Sequence, residues 1–287
     1  MENIISEKLK TYNTNSIDEQ KNALKEIMQE IILCGLSRTN FFKTASFFGG
    51  TALRIFHGID RFSEDLDFSL IYIDEDFKLK EYLIQASKEL NAYGFNASYN
   101  MKEKDESNVL TSNIVVSARE TISYFFPHEN VDKLNHNELI RIKIDIDTCL
   151  KEHVSYETKY SLFPSPYSVK IYDFSTLFSS KIDAVLNRKW KSRVVKGRDL
   201  YDYCFYLKNN IKVNLDYLKS RLIRASYINE NDEFNIDILK NMLKDKFSGI
   251  DYEEAKKDVV PFTANKESLN IWSKEFFISI TDKLESN

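Results

Sequence analysis

Apolar residues recur at helical spacing near the start of the chain and predict a long helix over residues 17–34. Its apolar positions are Leu24, Ile27, Met28, Ile31 and Ile32. The preceding Ser16-Ile17-Asp18-Glu19 has the form of a capping box, which would satisfy the first free amide groups of the helix. Gly35 is expected to end this helix, and a short second helix is predicted around 38–44.

Short strands and helices alternate next, around a pair of glycines. Ser46-Phe47-Phe48 predicts a brief strand that runs into Gly49-Gly50. Residues 51–57 then predict a helix that Gly58 would end. Residues 65–72 alternate between polar and apolar positions, which is typical of a strand with one buried face.

The strand-like pattern continues to about residue 172 and then stops. A helix over 76–92 precedes the two clearest strands, over 108–119 and 139–150, and in the second of these isoleucines alternate with charged residues. The later segments are predicted helices: 174–190, 198–209, 214–225, 232–247 and 266–285. The pattern therefore predicts an α+β fold, with a mixed-sheet domain over 1–172 and a helical domain over 173–287.

Composition limits the class of protein. The chain has 287 residues, 43% hydrophobic and 29% charged, as expected for a globular protein with its own core. The acidic start does not resemble a signal peptide and no apolar run could span a bilayer, so we expect a cytoplasmic protein without membrane contact. The net charge of −4 argues against a protein that coats nucleic acid indiscriminately. Cys34, Cys149 and Cys204 lack the spacing of a zinc site or a disulfide framework.

Two pairs of acidic residues share strand faces. Asp65 and Asp67 are two positions apart, as are Asp145 and Asp147, so each pair leaves one side of its strand. Mg²⁺ prefers such oxygen ligands, and a two-metal site suits phosphoryl transfer. Asp65, Asp67 and Asp145 are the predicted metal ligands, with Asp147 as the alternative to Asp145. Either pair taken alone is more often a solvated strand edge.

The turn Gly49-Gly50-Thr51 is predicted to contact phosphates. Glycines allow close approach of the main chain, and the start of the following helix offers free amide groups to an anion. Thr51 adds a hydroxyl. A glycine pair alone is usually only a turn. Its combination with a helix and an acidic strand favours a nucleotide site.

These residues resemble the signature of the AbiEii/AbiGii toxin family. The matching stretches are Gly49-Gly50-Thr51-Ala52-Leu53, Gly58, Arg61-Phe62-Ser63-Glu64-Asp65-Leu66-Asp67-Phe68, Lys181-Ile182-Asp183-Ala184 with Arg188, and Arg198-Asp199-Leu200-Tyr201-Asp202. Family members are nucleotidyltransferase toxins of type IV toxin–antitoxin and abortive-infection systems. The resemblance implies a polymerase-β-like nucleotidyltransferase core with a mixed sheet, followed by a C-terminal helical bundle.

The resemblance also implies residue roles. Contacts to the phosphates of an NTP are implied for Gly49, Gly50, Thr51 and Lys181, and Arg61 and Ser63 would contact phosphates or order the loop. Asp65 and Asp67 would bind Mg²⁺, and Asp202 would orient Lys181 or assist the incoming hydroxyl. Without the resemblance, Lys181 and Asp202 would be ordinary charges on helix surfaces, and Asp199 a charge that favours a helix N-terminus.

A basic run lies between the last two motifs. Its members are Arg188, Lys189, Lys191, Arg193, Lys196 and Arg198, with Trp190 among them and no acidic residue over 184–198. Cations with an aromatic side chain favour contact with RNA, and a solvated loop is the alternative.

The predicted reaction moves an NMP from an NTP to a hydroxyl. By resemblance the acceptor is the 3′ end of tRNA, the outcome is growth arrest, and a cognate antitoxin is encoded nearby. Transfer to a small molecule or a protein is one alternative, and a non-catalytic nucleotide-binding protein is another. The sequence specifies no oligomer, so a monomer is the default expectation.

Overall fold

A computed structural model describes residues 4–74, 76–101, 108–187, 196–263 and 265–287. Its helices are α1 (Ile4–Leu9), α2 (Ile17–Ser37), α3 (Phe41–Thr44), α4 (Gly49–His57), α5 (Leu79–Ala92), α6 (Ala118–Phe125), α7 (Phe174–Asn187), α8 (Gly197–Lys208), α9 (Leu215–Arg224), α10 (Ile236–Ser248), α11 (Tyr252–Val259) and α12 (Lys274–Thr281). Its strands are β1 (Ala45–Phe48), β2 (Leu66–Leu70), β3 (Ser98–Met101), β4 (Val109–Ser117), β5 (Leu139–Asp147), β6 (Tyr156–Ser161) and β7 (Tyr167–Tyr172). Two short 3₁₀ helices are Val131–Lys133 and Lys266–Leu269.

Packing divides the chain into two compact units. The first contains Met1–Ile55, Phe62–Leu150 and Thr158–Ile171. The second contains Phe56–Arg61, Lys151–Glu157 and Tyr172–Asn287. Two short segments, Phe56–Arg61 and Lys151–Glu157, therefore pack with the C-terminal helices.

The first unit is built on a mixed sheet, as predicted. Across the described residues the strand order is β3-β4-β5-β2-β1-β7-β6. Strand β2 runs antiparallel to β1 and parallel to β5, which places it in the middle of the sheet. Strand β5 is also antiparallel to β4, and β7 is parallel to β1. The α+β class with a mixed sheet is confirmed.

Alternating burial sets the register of the two central strands. Ile142, Ile144 and Ile146 of β5 are at most 1% exposed, as are Leu66 and Phe68 of β2. Each such side chain contributes about 1.5–3 kcal/mol when it is fully buried. A slip by one residue would turn all of them to the other face, so the register is strongly specified.

Helix α2 starts as predicted but ends later. The Ser16 side chain accepts a hydrogen bond from the Glu19 amide, and the Glu19 carboxylate accepts one from the Ser16 amide. The prediction that Gly35 ends this helix is wrong, because α2 continues to Ser37. A Cβ on Gly35 would lie 2.9 Å from Cβ of Glu89 on α5, so this glycine serves close helix packing rather than termination.

Three α-helices of the described residues were not predicted: α1, α6 and α11. Helix α6 follows β4 directly, and the Ser117 side chain caps it by accepting a hydrogen bond from the Glu120 amide. The Asp251 side chain caps α11 in the same way through the Glu254 amide. Both starts carry a capping signal in the sequence, which the strand-like pattern obscured in the first case.

The predicted helix over 266–285 is wrong in extent. Residues Lys266–Leu269 form a 3₁₀ helix and only Lys274–Thr281 is α-helical. The interruption has a local cause, because the Ser273 side chain caps a new helix start by accepting a hydrogen bond from Phe276. The end of the predicted helix over 174–190 lies outside the described residues, since α7 is described to Asn187.

Aromatic packing dominates the core of the second unit. The rings of Phe178 on α7 and Tyr206 on α8 stack with centroids 4.7 Å apart, and Phe247 on α10 meets Phe277 on α12 at 5.2 Å. Of the helices within the described ranges, none is both long and apolar enough to cross a bilayer.

Gly197, the first residue of α8, tests the packing of the second unit. A Cβ there would lie 1.7 Å from the main-chain oxygen of Ala255 on α11, so Gly197→Ala forces these helices apart. We expect the free energy of unfolding to fall by about 1–3 kcal/mol, as for other overpacked sites, measured by urea denaturation. Gly249→Ala is the control, because only Lys246 O lies within 4 Å of its added Cβ, at 3.9 Å. Equal stability of the two variants would contradict this account of α8 packing.

Candidate functional site

The parallel pairing of β2 with β5 brings two aspartates face to face. Asp67 of β2 is directly opposite Asp145 of β5 in the ladder. Directly paired residues on neighbouring strands point to the same face of a sheet, so both carboxylates leave the face opposite the buried isoleucines. Asp65 immediately precedes β2 and is exposed, whereas Asp67 and Asp145 are half-buried. The pairing of β2 with β5 therefore brings Asp67 and Asp145 together within the first unit.

Gly49 brings the start of α4 against the Asp67 carboxylate. On its other side Asp67 pairs with Phe48, the residue before Gly49. Gly49 has a φ of +84°, and a Cβ on it would lie 2.4 Å from Oδ2 of Asp67. Both facts require glycine, the first for the left-handed backbone and the second for the space. The first amide groups of a helix, which suit a phosphate, thus lie beside a carboxylate that suits a cation.

The loop before Asp65 is tied down from several sides. The Thr51 hydroxyl was expected on a phosphate, but it is fully buried and donates to the main-chain oxygen of Asp65. The Ser63 carbonyl accepts a hydrogen bond from Gln29 of α2 at 3.0 Å, and Glu64 pairs with Lys25 at 2.9 Å. These contacts hold the chain that leads into the acidic strand.

Asp145 has partners that the sequence reading missed. The Thr111 hydroxyl on β4 donates to Oδ1 of Asp145 at 2.7 Å, and the Lys143 ammonium donates to Oδ2. Burial acts to lower the pKa of Lys143, but the hydrogen bond to Asp145 and the charges of Asp145, Asp65 and Asp67 outweigh it, so that pKa is raised. The Lys143 ammonium is bonded to Asp145, and the nearby charges of Asp65 and Asp67 also favour its charged form.

Asp147, the alternative to Asp145, has a different setting. It is opposite Ser69 rather than an acid, and its Oδ1 accepts a hydrogen bond from the Cys149 amide at 2.9 Å. The register therefore brings Asp145, and not Asp147, opposite Asp67.

The acids suit a cation whose remaining ligands come from the phosphates of the substrate. In the ranges that the structure describes, no three His, Cys, Asp or Glu side chains gather as a ready metal site. Mg²⁺ seldom requires one, since it is usually held by one or two carboxylates, water and substrate phosphates. The Lys143 ammonium on Asp145 shows that this position accepts a positive charge. Asp67 and Asp145 fit a divalent ion on these grounds, with Asp65 beside them.

The second unit contains a buried network of two cations and two anions. The Arg61 guanidinium donates to both oxygens of Asp202 at 2.6 Å. The Lys181 ammonium lies 2.8 Å from Asp199 Oδ1 and 2.8 Å from Asp202 Oδ2. Arg61, Asp199 and Asp202 are each at most 2% exposed. Arg61 was expected to contact a phosphate or to order the loop, and in the structure its guanidinium neutralises Asp202.

Lys181 remains charged in this network. Burial acts to lower its pKa, but the nearby Asp199 and Asp202 outweigh that effect and raise it. Asp199 and Asp202 lie three residues apart on α8 and so share the face turned to Lys181. That spacing was visible in the sequence, but it gave no means of assigning Asp199 to Lys181.

The basic run is only partly described. Arg188, Lys189, Lys191 and Arg193 lie outside the described residues. Lys196 is the N-cap residue of α8. The Arg198 guanidinium lies 4.3 Å from the centre of the Phe262 ring and pairs with Asp258, so its side chain already has partners within the second unit.

Comparison with known proteins identifies the family. The family model of the AbiEii nucleotidyl transferase toxins of type IV toxin–antitoxin systems matches residues 31–278. The chain belongs to the AbiEii family. The match contains the glycine turn, the acidic strands and the Lys181 network of this AbiEii-family chain. A search of curated protein sequences finds no significant relative.

Two solved structures are similar to this chain. MenT4, a nucleotidyltransferase toxin from Mycobacterium tuberculosis H37Rv, is 13% identical with a TM-score of 0.54, covering 98% of this chain and 89% of that one. JHP933 from Helicobacter pylori is 18% identical with a TM-score of 0.49, covering 91% of this chain and 89% of that one. The MenT4 likeness, at its low identity, supports the fold alone.

Asp202→Asn tests the buried network of this AbiEii-family chain. The substitution removes one anion and leaves Arg61 and Lys181 buried with Asp199. We expect the free energy of unfolding to fall by about 3–5 kcal/mol, the usual effect of breaking a buried ion pair, measured by urea denaturation. Asp282→Asn in the same unit is the control, because its pair with Lys244 is exposed and should contribute at most about 1 kcal/mol. A small effect at both positions would show that the network contributes little to stability.

Gly49→Ala tests the approach of α4 to Asp67. The added methyl group displaces the carboxylate, and a shift of about 1 Å in a reacting group can lower a rate about 100-fold, which we expect for nucleotidyl transfer. Gly58→Ala is the control, since Gly58 also has a positive φ, +74°, but no atom within 4 Å of its added Cβ. Equal losses of activity in the two variants would assign the effect to backbone strain rather than to Asp67.

Proposed function

We propose that the chain transfers a nucleoside monophosphate from an NTP to the 3′ hydroxyl of a tRNA, with release of pyrophosphate. The observation that carries this proposal is the pairing of Asp67 with Asp145, directly beside the glycine start of α4. This arrangement offers a position for a cation and a position for phosphates next to each other. Family membership supports nucleotidyl transfer by a toxin.

The glycine turn would hold the NTP phosphates. Gly49 and Gly50 have no side chains to exclude a phosphate, and the first amide groups of α4 are free to donate to its oxygens. The favourable end of the helix dipole adds to this attraction. Thr51 and its bond to Asp65 would keep the turn and the acidic strand at a constant separation during the reaction.

Asp67 and Asp145 would hold Mg²⁺ on the same face. When bound, the ion supplies positive charge to the transferring phosphate and lowers the pKa of the attacking hydroxyl. Asp65 is exposed immediately before β2. We assign it either to a second ion or to a ligand position that two ions share. The role of the chain is mainly to position charges, because phosphoryl transfer requires little covalent chemistry from the protein.

Lys181 is proposed to contact the triphosphate. An ammonium group has three N–H donors, and two carboxylates engage that of Lys181 in the described residues. The third donor direction is the one that we assign to a phosphate oxygen. Asp202 would keep Lys181 in place, and Arg61 would balance the charge of Asp202. This assignment replaces the direct phosphate contact expected of Arg61.

The family and the basic run support a tRNA acceptor. The family gives toxin activity, and the basic run between Asn187 and Gly197 has the composition of a segment that binds nucleic acid. Addition to the 3′ end would block aminoacylation and arrest growth. We also propose that a cognate antitoxin, encoded nearby, binds this chain.

A labelling experiment tests the reaction. The protein is incubated with each of four α-labelled NTPs, whole tRNA and Mg²⁺, and parallel samples contain excess EDTA. We expect label in tRNA with Mg²⁺ and none with EDTA. Label that enters only protein or small molecules from added lysate would replace the tRNA acceptor. Nucleotide binding by calorimetry without transfer to any acceptor would favour a non-catalytic binding protein.

Three single substitutions test the carboxylate assignment. Asp67→Asn and Asp145→Asn should each lower the transfer rate about 10²–10³-fold, the usual effect of losing one preorganised electrostatic group. Asp147→Asn, on the same strand and face as Asp145, is the matched control and should retain most activity. Circular dichroism checks that all three variants fold. Loss of activity in Asp147→Asn but not in Asp145→Asn would reverse the choice between the two residues.

A further inference from the structure

Lys143 lies among the carboxylates of the proposed site, but the proposed reaction assigns it no role. It is two positions before Asp145 on β5, so both side chains leave the same face of the sheet. Its ammonium donates to Oδ2 of Asp145. Oδ1 of the same carboxylate accepts the Thr111 hydroxyl at 2.7 Å. Each oxygen of Asp145 therefore already has a partner from this chain.

The two partners of Asp145 differ in how easily they can leave. Thr111 is β-branched and lies on β4, hydrogen-bonded directly opposite Asp145, so its hydroxyl has little freedom to move. Lys143 has a flexible four-carbon stem, and its side chain is 39% exposed. The ammonium is therefore the partner that can swing into solvent and free an oxygen of Asp145.

We propose that Lys143 is an internal counter-ion of Asp65, Asp67 and Asp145, and that a divalent cation must displace it from Asp145 in order to bind. An ammonium and a divalent ion on one carboxylate would lie within a few ångströms of each other and repel strongly. Lys143 thus lowers the affinity of the free protein for metal. This inference rests on the proposed function, because it assigns the same carboxylates to the ion.

The exchange couples metal binding to the nucleotide. Released from Asp145, the ammonium needs a new anion, and the triphosphate of an NTP beside α4 supplies one. Metal and NTP then bind more tightly together than either does alone. In the free protein the same lysine offsets the mutual repulsion of the three carboxylates.

Metal binding without nucleotide provides the test. Mn²⁺ takes the same oxygen ligands as Mg²⁺, and free Mn²⁺ can be counted directly by electron paramagnetic resonance. Lys143→Met should tighten Mn²⁺ binding about tenfold, because the competing charge is gone. Lys143→Arg keeps that charge and should bind Mn²⁺ as weakly as the unsubstituted protein. Lys80→Met, at an exposed position of α5, removes the same charge elsewhere and should leave the affinity unchanged.

Thermal unfolding gives a second measurement. Lys143→Met leaves the carboxylates without their ammonium, so its melting temperature should be lower without metal and should rise more on addition of Mg²⁺. If Lys143→Met does not fold, Lys143→Gln provides the same loss of charge with a polar side chain.

Each result decides between specific alternatives. If Lys143→Met binds Mn²⁺ no more tightly than Lys80→Met, the inference is wrong, even where nucleotidyl transfer still requires Mg²⁺. If Lys143→Arg gains affinity as much as Lys143→Met, the charge is not the cause and the inference is also wrong. If no variant binds Mn²⁺, with or without an NTP, then the metal assignment in the proposed function fails together with the inference.

Discussion

The candidate site depends on one constraint, the parallel pairing of β2 with β5 in a single register. Buried isoleucines on β5 and Leu66 and Phe68 on β2 fill the core in the register that places Asp67 opposite Asp145. Hydrophobic burial on one face thus determines the position of the carboxylates on the other, because side chains alternate along a strand. The carboxylates of Asp67 and Asp145 repel each other, so the free energy that holds β2 and β5 in this register comes from burial of their apolar side chains.

Two charged clusters of the chain differ in how deeply they are buried. The network of Arg61, Lys181, Asp199 and Asp202 is buried, so each charge needs an opposite charge in direct contact. The cluster around Asp145 is only half-buried, and its lysine reaches solvent. Partners can exchange in the cluster around Asp145 at little cost in free energy. Exchange in the buried network would leave a buried charge without a partner. This difference suits a structural role for the buried network and ligand exchange at the cluster around Asp145.

Much of the first unit could be predicted from local pattern. The capping box of α2, the strand with Asp67, and the alternation of β5 depend on neighbouring residues, and the structure contains each of these elements, although Asp65 lies just before its predicted strand. Gly35 was misread because a glycine can end a helix or admit a second helix, and only the position of α5 distinguishes these. Thr51 and Arg61 sit in the motif as expected, but their side chains bond to Asp65 and Asp202 within the protein.

The sequence by itself determined the α+β class, the family resemblance and the acidic strands, because each follows from residue type at short spacing. Tertiary structure alone decided that Asp145 rather than Asp147 is opposite Asp67, that Thr111 binds Asp145, and that Asp199 pairs with Lys181. These facts concern residues up to dozens of positions apart. Contacts at that range are set by how buried faces pack together, and local spacing carries no information about them.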